Sequence, residues 1–305
     1  MKITVKTKMA AWWCAACLLS ISTPALAQID PTLAKVRATG VASLNASREV
    51  FYSPGQQERA ESLAVLLHEV DAYLSEQLGV QAEFSVAVLD EAEWAEIEPF
   101  PYGLPYVSLE APWVLVLPAS PELSVLFPDF VELLGSVRAA DMVDNIAFHE
   151  LGHVYTSAFV YPEDLAGAPP VRWLDEFLAT YFAYAFLVSV APERAEIWNA
   201  FVSATISGPR PRFTSLADFE AEYYGYLGSP EGTANYGWYQ AVFAQHAALI
   251  YGRSGLNFLR KLRLSLRAAP ASEWSTQSAV EVLEALAPGT HAWAERLGRP
   301  NEGAK

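Results

Sequence analysis

Two of the chain's five histidines stand four positions apart, in His149-Glu150-Leu151-Gly152-His153. Val143, Ile146, Ala147, Leu151 and Val154 recur around them at helical spacing, which predicts a helix over 141–158. Residues four apart on a helix lie one turn above each other on the same face. Two imidazoles placed there can bind one zinc ion. Glu150 is turned by about 100° to the flank of that face. From the flank its carboxylate can reach a water at the metal without being a ligand, and can act as general base.

A catalytic zinc takes three protein ligands and keeps one position open, so the fold must bring in a third group. An H-x-x-G-x-x-H continuation fails, because Thr156 stands where Gly is needed and Phe159 where His is needed. The next helical pattern offers Trp173-Leu174-Asp175-Glu176-Phe177-Leu178-Ala179-Thr180-Tyr181. Pro162, Gly167, Pro169 and Pro170 predict a turn between the two helices, so the second can pack back on the first and aim Glu176 at the metal. A carboxylate inside so apolar a run must have a partner.

With 52% hydrophobic and 18% charged residues in 305, the chain is too apolar for a disordered segment or a coiled coil. Its 20 basic against 35 acidic residues give a net charge of −15, which opposes nucleic-acid binding and attraction to an anionic bilayer. No Gly-rich phosphate loop and no G-x-S-x-G elbow occurs, so nucleotide and serine-hydrolase chemistry have no support. Lys2, Lys6 and Lys8 precede an uncharged stretch from Met9 to Ser22, and Ala25-Leu26-Ala27 follows. This predicts a secretory signal peptide over 1–27, cleaved after Ala27, and a periplasmic or secreted protein. Both cysteines, Cys14 and Cys17, leave with it unless one of them is lipidated. No transmembrane segment is expected after cleavage. The uncharged stretch from Phe177 to Ala191 is too short to span a bilayer and is flanked by Glu176 and Glu193.

In the remainder, a long amphipathic helix is predicted from Gln56 to Gln77, with Gly79 as its stop. Strands are predicted at Phe84–Leu89 and Trp113–Leu117, joined by an irregular link through Pro101, Gly103 and Pro105. Helices follow near 141–158, 171–189, 192–206, 235–251, 254–267 and 272–286. The expected architecture is α+β: a small N-terminal α/β lobe over 28–135 and a helical lobe over 136–305 that would bind the zinc. His68, His246 and His291 have no partner at ligand spacing and are expected to be structural.

Taken together, His149-Glu-Leu-Gly-His153 and Trp173-Leu-Asp-Glu176-Phe-Leu-Ala-Thr-Tyr181 resemble the gluzincin metallopeptidases, the group containing thermolysin and the zinc aminopeptidases. Their second motif reads W-L-x-E-G-x-A-x-Y; this chain departs from it at Phe177, where the family has Gly. The resemblance implies a thermolysin-like fold, zinc on His149, His153 and Glu176, Glu150 as general base, and a peptide or protein substrate. Thr180 matches a position that holds a ligand in place. Asn235-Tyr236-Gly237-Trp238-Tyr239 is similar to the family segment in which a tyrosine heads a later helix and donates to the oxyanion. Tyr236 is the expected donor and Tyr239 the alternative, while the family-like linker Phe213–Phe219 carries no assigned chemistry. By the same resemblance the strand around Trp113–Leu117 would be a sheet edge along the cleft. The aminopeptidase G-x-M-E-N sequence is replaced by Glu110-Ala-Pro-Trp-Val-Leu-Val-Leu, which favours an endopeptidase or a peptidase of narrow specificity. The alternative is a zinc-containing binding or assembly protein that cleaves nothing.

Overall fold

The computed structural model describes residues 31–97, 101–108, 111–161, 171–226, 230–268 and 274–299. The predicted leader, with Cys14 and Cys17, and the turn over 162–170 lie outside the described residues.

Five strands form one mixed sheet: β1 (Ala42–Asn45), β2 (Glu49–Tyr52), β3 (Phe84–Leu89), β4 (Tyr106–Val107) and β5 (Trp113–Pro118). Their order is β1-β2-β3-β5-β4. The inner strands β2, β3 and β5 run parallel, and β1 and β4 are added antiparallel at the two sides. Parallel strands are buried on both faces, which explains the near-continuous apolar runs of β3 and β5. Val86, Val88, Leu115 and Leu117 join the core shared with α2 (Gln57–Leu78). Ala87, Leu89, Val114 and Val116 cluster instead with Leu33 and Val36 of α1 (Pro31–Ala38) and Trp94 and Ile97 of α3 (Glu91–Ile97).

One expectation is corrected here. Trp113–Leu117 is not the sheet edge, because β5 lies between β3 and β4, and the outer strand is Tyr106–Val107. Two residues in a Pro/Gly-rich link show no alternation to read. Pairing with β5, Tyr106 opposite Val116 and Val107 opposite Leu115, makes them a strand.

The helical lobe begins with α4 (Phe127–Leu134), which ends at Gly135 in a positive-φ conformation (79°). It continues through α5 (Ser136–Tyr155), α6 (Arg172–Val190), α7 (Pro192–Ser207), α8 (Leu216–Tyr226), α9 (Pro230–Ser254), α10 (Asn257–Ala268), α11 (Thr276–Leu286) and α12 (Thr290–Gly298). After Tyr155, α5 widens into a π-helical turn, Thr156–Val160. The apolar α6 is long enough to cross a membrane by composition, but here it is the centre of the core, with Trp173, Leu174, Phe177, Leu178 and Tyr181 fully buried. One apolar cluster runs from the inner face of the sheet through α2, α5 and α6 to α12, so the two lobes share a core. Polar ties hold α2 on α5. Arg59 pairs with Asp144, and Asp71 accepts from Arg48 Nη2 at 2.6 Å and from the Tyr155 hydroxyl at 2.6 Å.

His246 of α9 has the structural role expected of it. Its ring stacks on Trp293 of α12, with centroids 4.2 Å apart and 3° between planes, and Nε2 lies 3.1 Å from the Thr290 hydroxyl. Burial pushes it down to about 4 from the usual 6.5, and Arg296 and Arg253 add to this. A histidine folded in its neutral form costs nothing above about pH 6.5. Below that the unfolded chain takes up a proton that the folded chain refuses, so stability is lost as pH falls toward 4. His246→Phe keeps a ring against Trp293 and removes the titration. It should flatten the acid limb of the stability curve by on the order of 3 kcal/mol, read from urea midpoints between about pH 6.5 and 4. A variant whose limb is as steep as that of the parent would show that His246 is not held neutral.

Candidate metal centre

The site is built where α5 crosses α6, and the crossing is close because of one glycine. A Cβ on Gly152 would meet the backbone of Ala179, 2.8 Å from its Cα and nearer still to its carbonyl oxygen. The missing side chain lets the two backbones touch. His149 and His153 on α5 thereby face Glu176, one turn before Ala179 on α6.

Three ligand atoms converge there. His149 Nε2 lies 3.1 Å from His153 Nε2 and 3.1 Å from Glu176 Oε2, and His153 Nε2 lies 3.7 Å from the same oxygen. A tetrahedral ion with bonds of about 2.0–2.1 Å places its ligands about 3.3 Å apart, and the three separations bracket that value. His149 and Glu176 are almost fully buried. Among the described residues, this is the group of His and acidic side chains arranged so that it can hold a metal ion.

The surrounding hydrogen bonds decide which ring nitrogens carry protons. The Glu176 carboxylate can only accept, so Gln240 of α9 turns its amide nitrogen toward Oε2, at 2.8 Å. The amide oxygen of Gln240 then accepts from the Thr180 hydroxyl at 2.9 Å. With its proton so committed, Thr180 Oγ1 must accept from His149 Nδ1 at 3.1 Å. His149 therefore bears its proton on Nδ1 and a bare lone pair on Nε2. His153 Nδ1 donates in the same way to Asp175 Oδ2 at 2.8 Å. The result is a set of buried acceptors facing one another, an arrangement favourable only around a cation. Burial alone would depress His153, yet Asp175 and Glu176 outweigh it and hold its pKa up to about 10. A proton fills the place in the absence of metal, and a divalent ion binding there would displace it.

Glu150 sits on the flank of this group, its carboxyl pushed up by burial against the pull of His149 and His153, and hydrogen-bonded by the Val107 backbone of β4. Tyr236 of α9 donates to Glu176 Oε2 at 2.8 Å. It lies inside α9 rather than at its head, since the helix starts at Pro230. Tyr239 is fully buried and donates to the Ser215 carbonyl at 2.7 Å, away from the ligand atoms. Phe177 fills the core on rings of Phe243, His246, Phe258 and Trp293.

The segment Phe213–Phe219 has a positioning role. Asn235 clamps Phe213 through both its N–H and its carbonyl, just before Tyr236. From α8, Glu220 Oε1 accepts the Trp173 N–H at 2.8 Å and so caps the first turn of α6, which carries Glu176. Sequence reasoning missed Asp175 and Gln240. Asp175 directly precedes Glu176, and Gln240 lies one turn after Tyr236, so spacing from assigned residues could have found both. Compared with family models, with curated proteins and with solved structures, the chain matches none.

Two outcomes follow from this geometry. Gly152→Ala should push α6 away from α5, cost about 1–3 kcal/mol as an overpacked core does, and weaken metal binding. Gly237→Ala, with open space around its Cβ, should instead stabilise α9 by up to about 1 kcal/mol. Equal effects in thermal melts would contradict the close crossing. Gln240→Met removes the acceptor of the Thr180 hydroxyl, freeing it to donate to His149 Nδ1 and to move the ring proton onto Nε2. Metal affinity in chelator competition should fall about 10–100-fold, with the tautomer change visible in ¹⁵N spectra of the metal-free protein. Unchanged affinity and tautomer would contradict the hydrogen-bond assignment.

Proposed function

We propose that the chain is a zinc-dependent peptidase with gluzincin-type chemistry and a thermolysin-like helical lobe. On this proposal it is exported through a leader ending at Ala27 and hydrolyses amide bonds in peptides or proteins. The observation that carries the proposal is the crowding of three buried acceptors, His149 Nε2, His153 Nε2 and Glu176 Oε2, with the Glu150 carboxyl on their flank.

Zinc held by His149, His153 and Glu176 would supply a Lewis acid that lowers the pKa of water and polarises a carbonyl. Glu150 is the general base: it takes a proton from the attacking water and returns it to the leaving amine. The raised affinity of its buried carboxyl for a proton suits both halves of that transfer. Tyr236 supplies a phenol that donates without competing as an anionic ligand, and a turn of its hydroxyl from Glu176 to the nascent oxyanion stabilises the charge that develops there. Asp175, Thr180 and Gln240 keep the rings and the carboxylate in place. The outer strand Tyr106–Val107 touches Glu150 through the Val107 backbone, so an extended peptide laid along it reaches the base. Without the aminopeptidase G-x-M-E-N sequence, cleavage within a chain is favoured over removal of its first residue.

Glu150→Gln preserves shape and removes the base. Zinc content should be unchanged, while turnover of a peptide from a mixed library falls by about 10²–10⁴. Chelation should abolish the parent's activity and added zinc restore it. A zinc-loaded parent that cleaves no peptide in the library would favour the non-catalytic zinc-binding alternative.

A further inference from the structure

We propose that the outer face of α10 is a docking site for an anionic phospholipid surface. The chain is acidic overall, yet from Gly232 to Ser272 it contains no Asp or Glu, while Arg253, Arg260, Lys261, Arg263 and Arg267 fall in that stretch. Four of these cations lie on α10. Its other side is spent on the core, with Phe258, Leu259, Leu262 and Leu266 buried. Arg260, Lys261, Leu264 and Arg267 therefore share an exposed arc of about 120°, with Arg263 at its border. Among the described residues none of the four cations is ion-paired. Arg260 reaches only the Gln77 carbonyl at the end of α2, and Arg263 lies over the Phe159 ring.

In the middle of this cationic arc stands Leu264, 69% exposed and the most exposed large hydrophobic residue among those described. Cations around a single aliphatic knob on a convex helix suit a flat layer of phosphate headgroups with hydrocarbon beneath. A peptide partner needs a groove, whereas the arc of α10 turned away from the core is a convex helix surface. The net charge of −15 does not prevent such docking. Salt screens charges beyond about 8 Å at physiological ionic strength, so only the face turned to the lipid is felt.

The test is flotation of the chain from Gln28 onward, without the basic and apolar leader that would itself bind lipid, with vesicles of phosphatidylcholine alone and with about one-third phosphatidylglycerol. The parent should partition onto the anionic vesicles only, and lose binding as salt is raised. K261E/R267E should partition at least about tenfold less at an unchanged thermal midpoint. In Leu264→Trp, at an exposed position that folding does not need, the fluorescence of the added indole should shift to the blue on anionic vesicles. No partition of the parent, equal partition onto neutral vesicles, unaltered binding by folded K261E/R267E, or a Leu264→Trp spectrum insensitive to bound vesicles would each overturn the proposal. Self-association without lipid that K261E/R267E abolishes would assign the face to a second copy, and would overturn it also.

Discussion

The contact between Gly152 and the backbone of Ala179 fixes the spacing of α5 and α6, and through it the distance between ligand atoms that no local interaction would bring together. His149 and His153 are neighbours by helical geometry alone. Glu176 joins them only because a backbone lies where a side chain would otherwise be. The elements beyond serve that crossing: α2 is tied to α5 by Arg59–Asp144 and by the Asp71 cluster, Glu220 caps α6, and α9 lays Tyr236 and Gln240 against Glu176.

The electrostatics of the centre follow from its burial. Acceptors that lie beside one another in water are separated by solvent and cost little; where His149 and Glu176 are almost fully buried and His153 largely so, their closeness favours a cation between them. The chain of hydrogen bonds from His149 Nδ1 through Thr180 and Gln240 ends on Glu176, so the lone pair on His149 Nε2 is set by a residue on a different helix. The same segregation of charge, at lower cost, marks α10, where among the described residues the cations have no ion-pair partner.

What was legible in the sequence was what helical spacing encodes. The pair His149/His153, the flanking Glu150 and the apolar face around Glu176 all repeat within one or two turns, and β3 and β5 are apolar runs of strand length. What was not legible depends on contacts between distant segments. Tyr106–Val107 is a strand only because β5 offers it partners. Gln240 is an ordinary polar residue of α9 until Thr180 and Glu176 face it. Phe177, an unusually bulky neighbour for Glu176, is accommodated by aromatic rings from three other helices. The short α4 and α12, of eight and nine residues, lacked enough turns for their periodicity to stand out.

The central claim, that three buried acceptors exist to share a divalent cation, is tested most directly by anomalous diffraction at the zinc edge from crystals of the protein grown with the metal. One strong peak per chain is expected within bonding distance of His149 Nε2, His153 Nε2 and Glu176 Oε2, at about 2.0–2.2 Å from each, absent from crystals of His153→Ala. A parent protein that takes up no metal, or a peak ligated elsewhere while these three side chains keep their places, would contradict it.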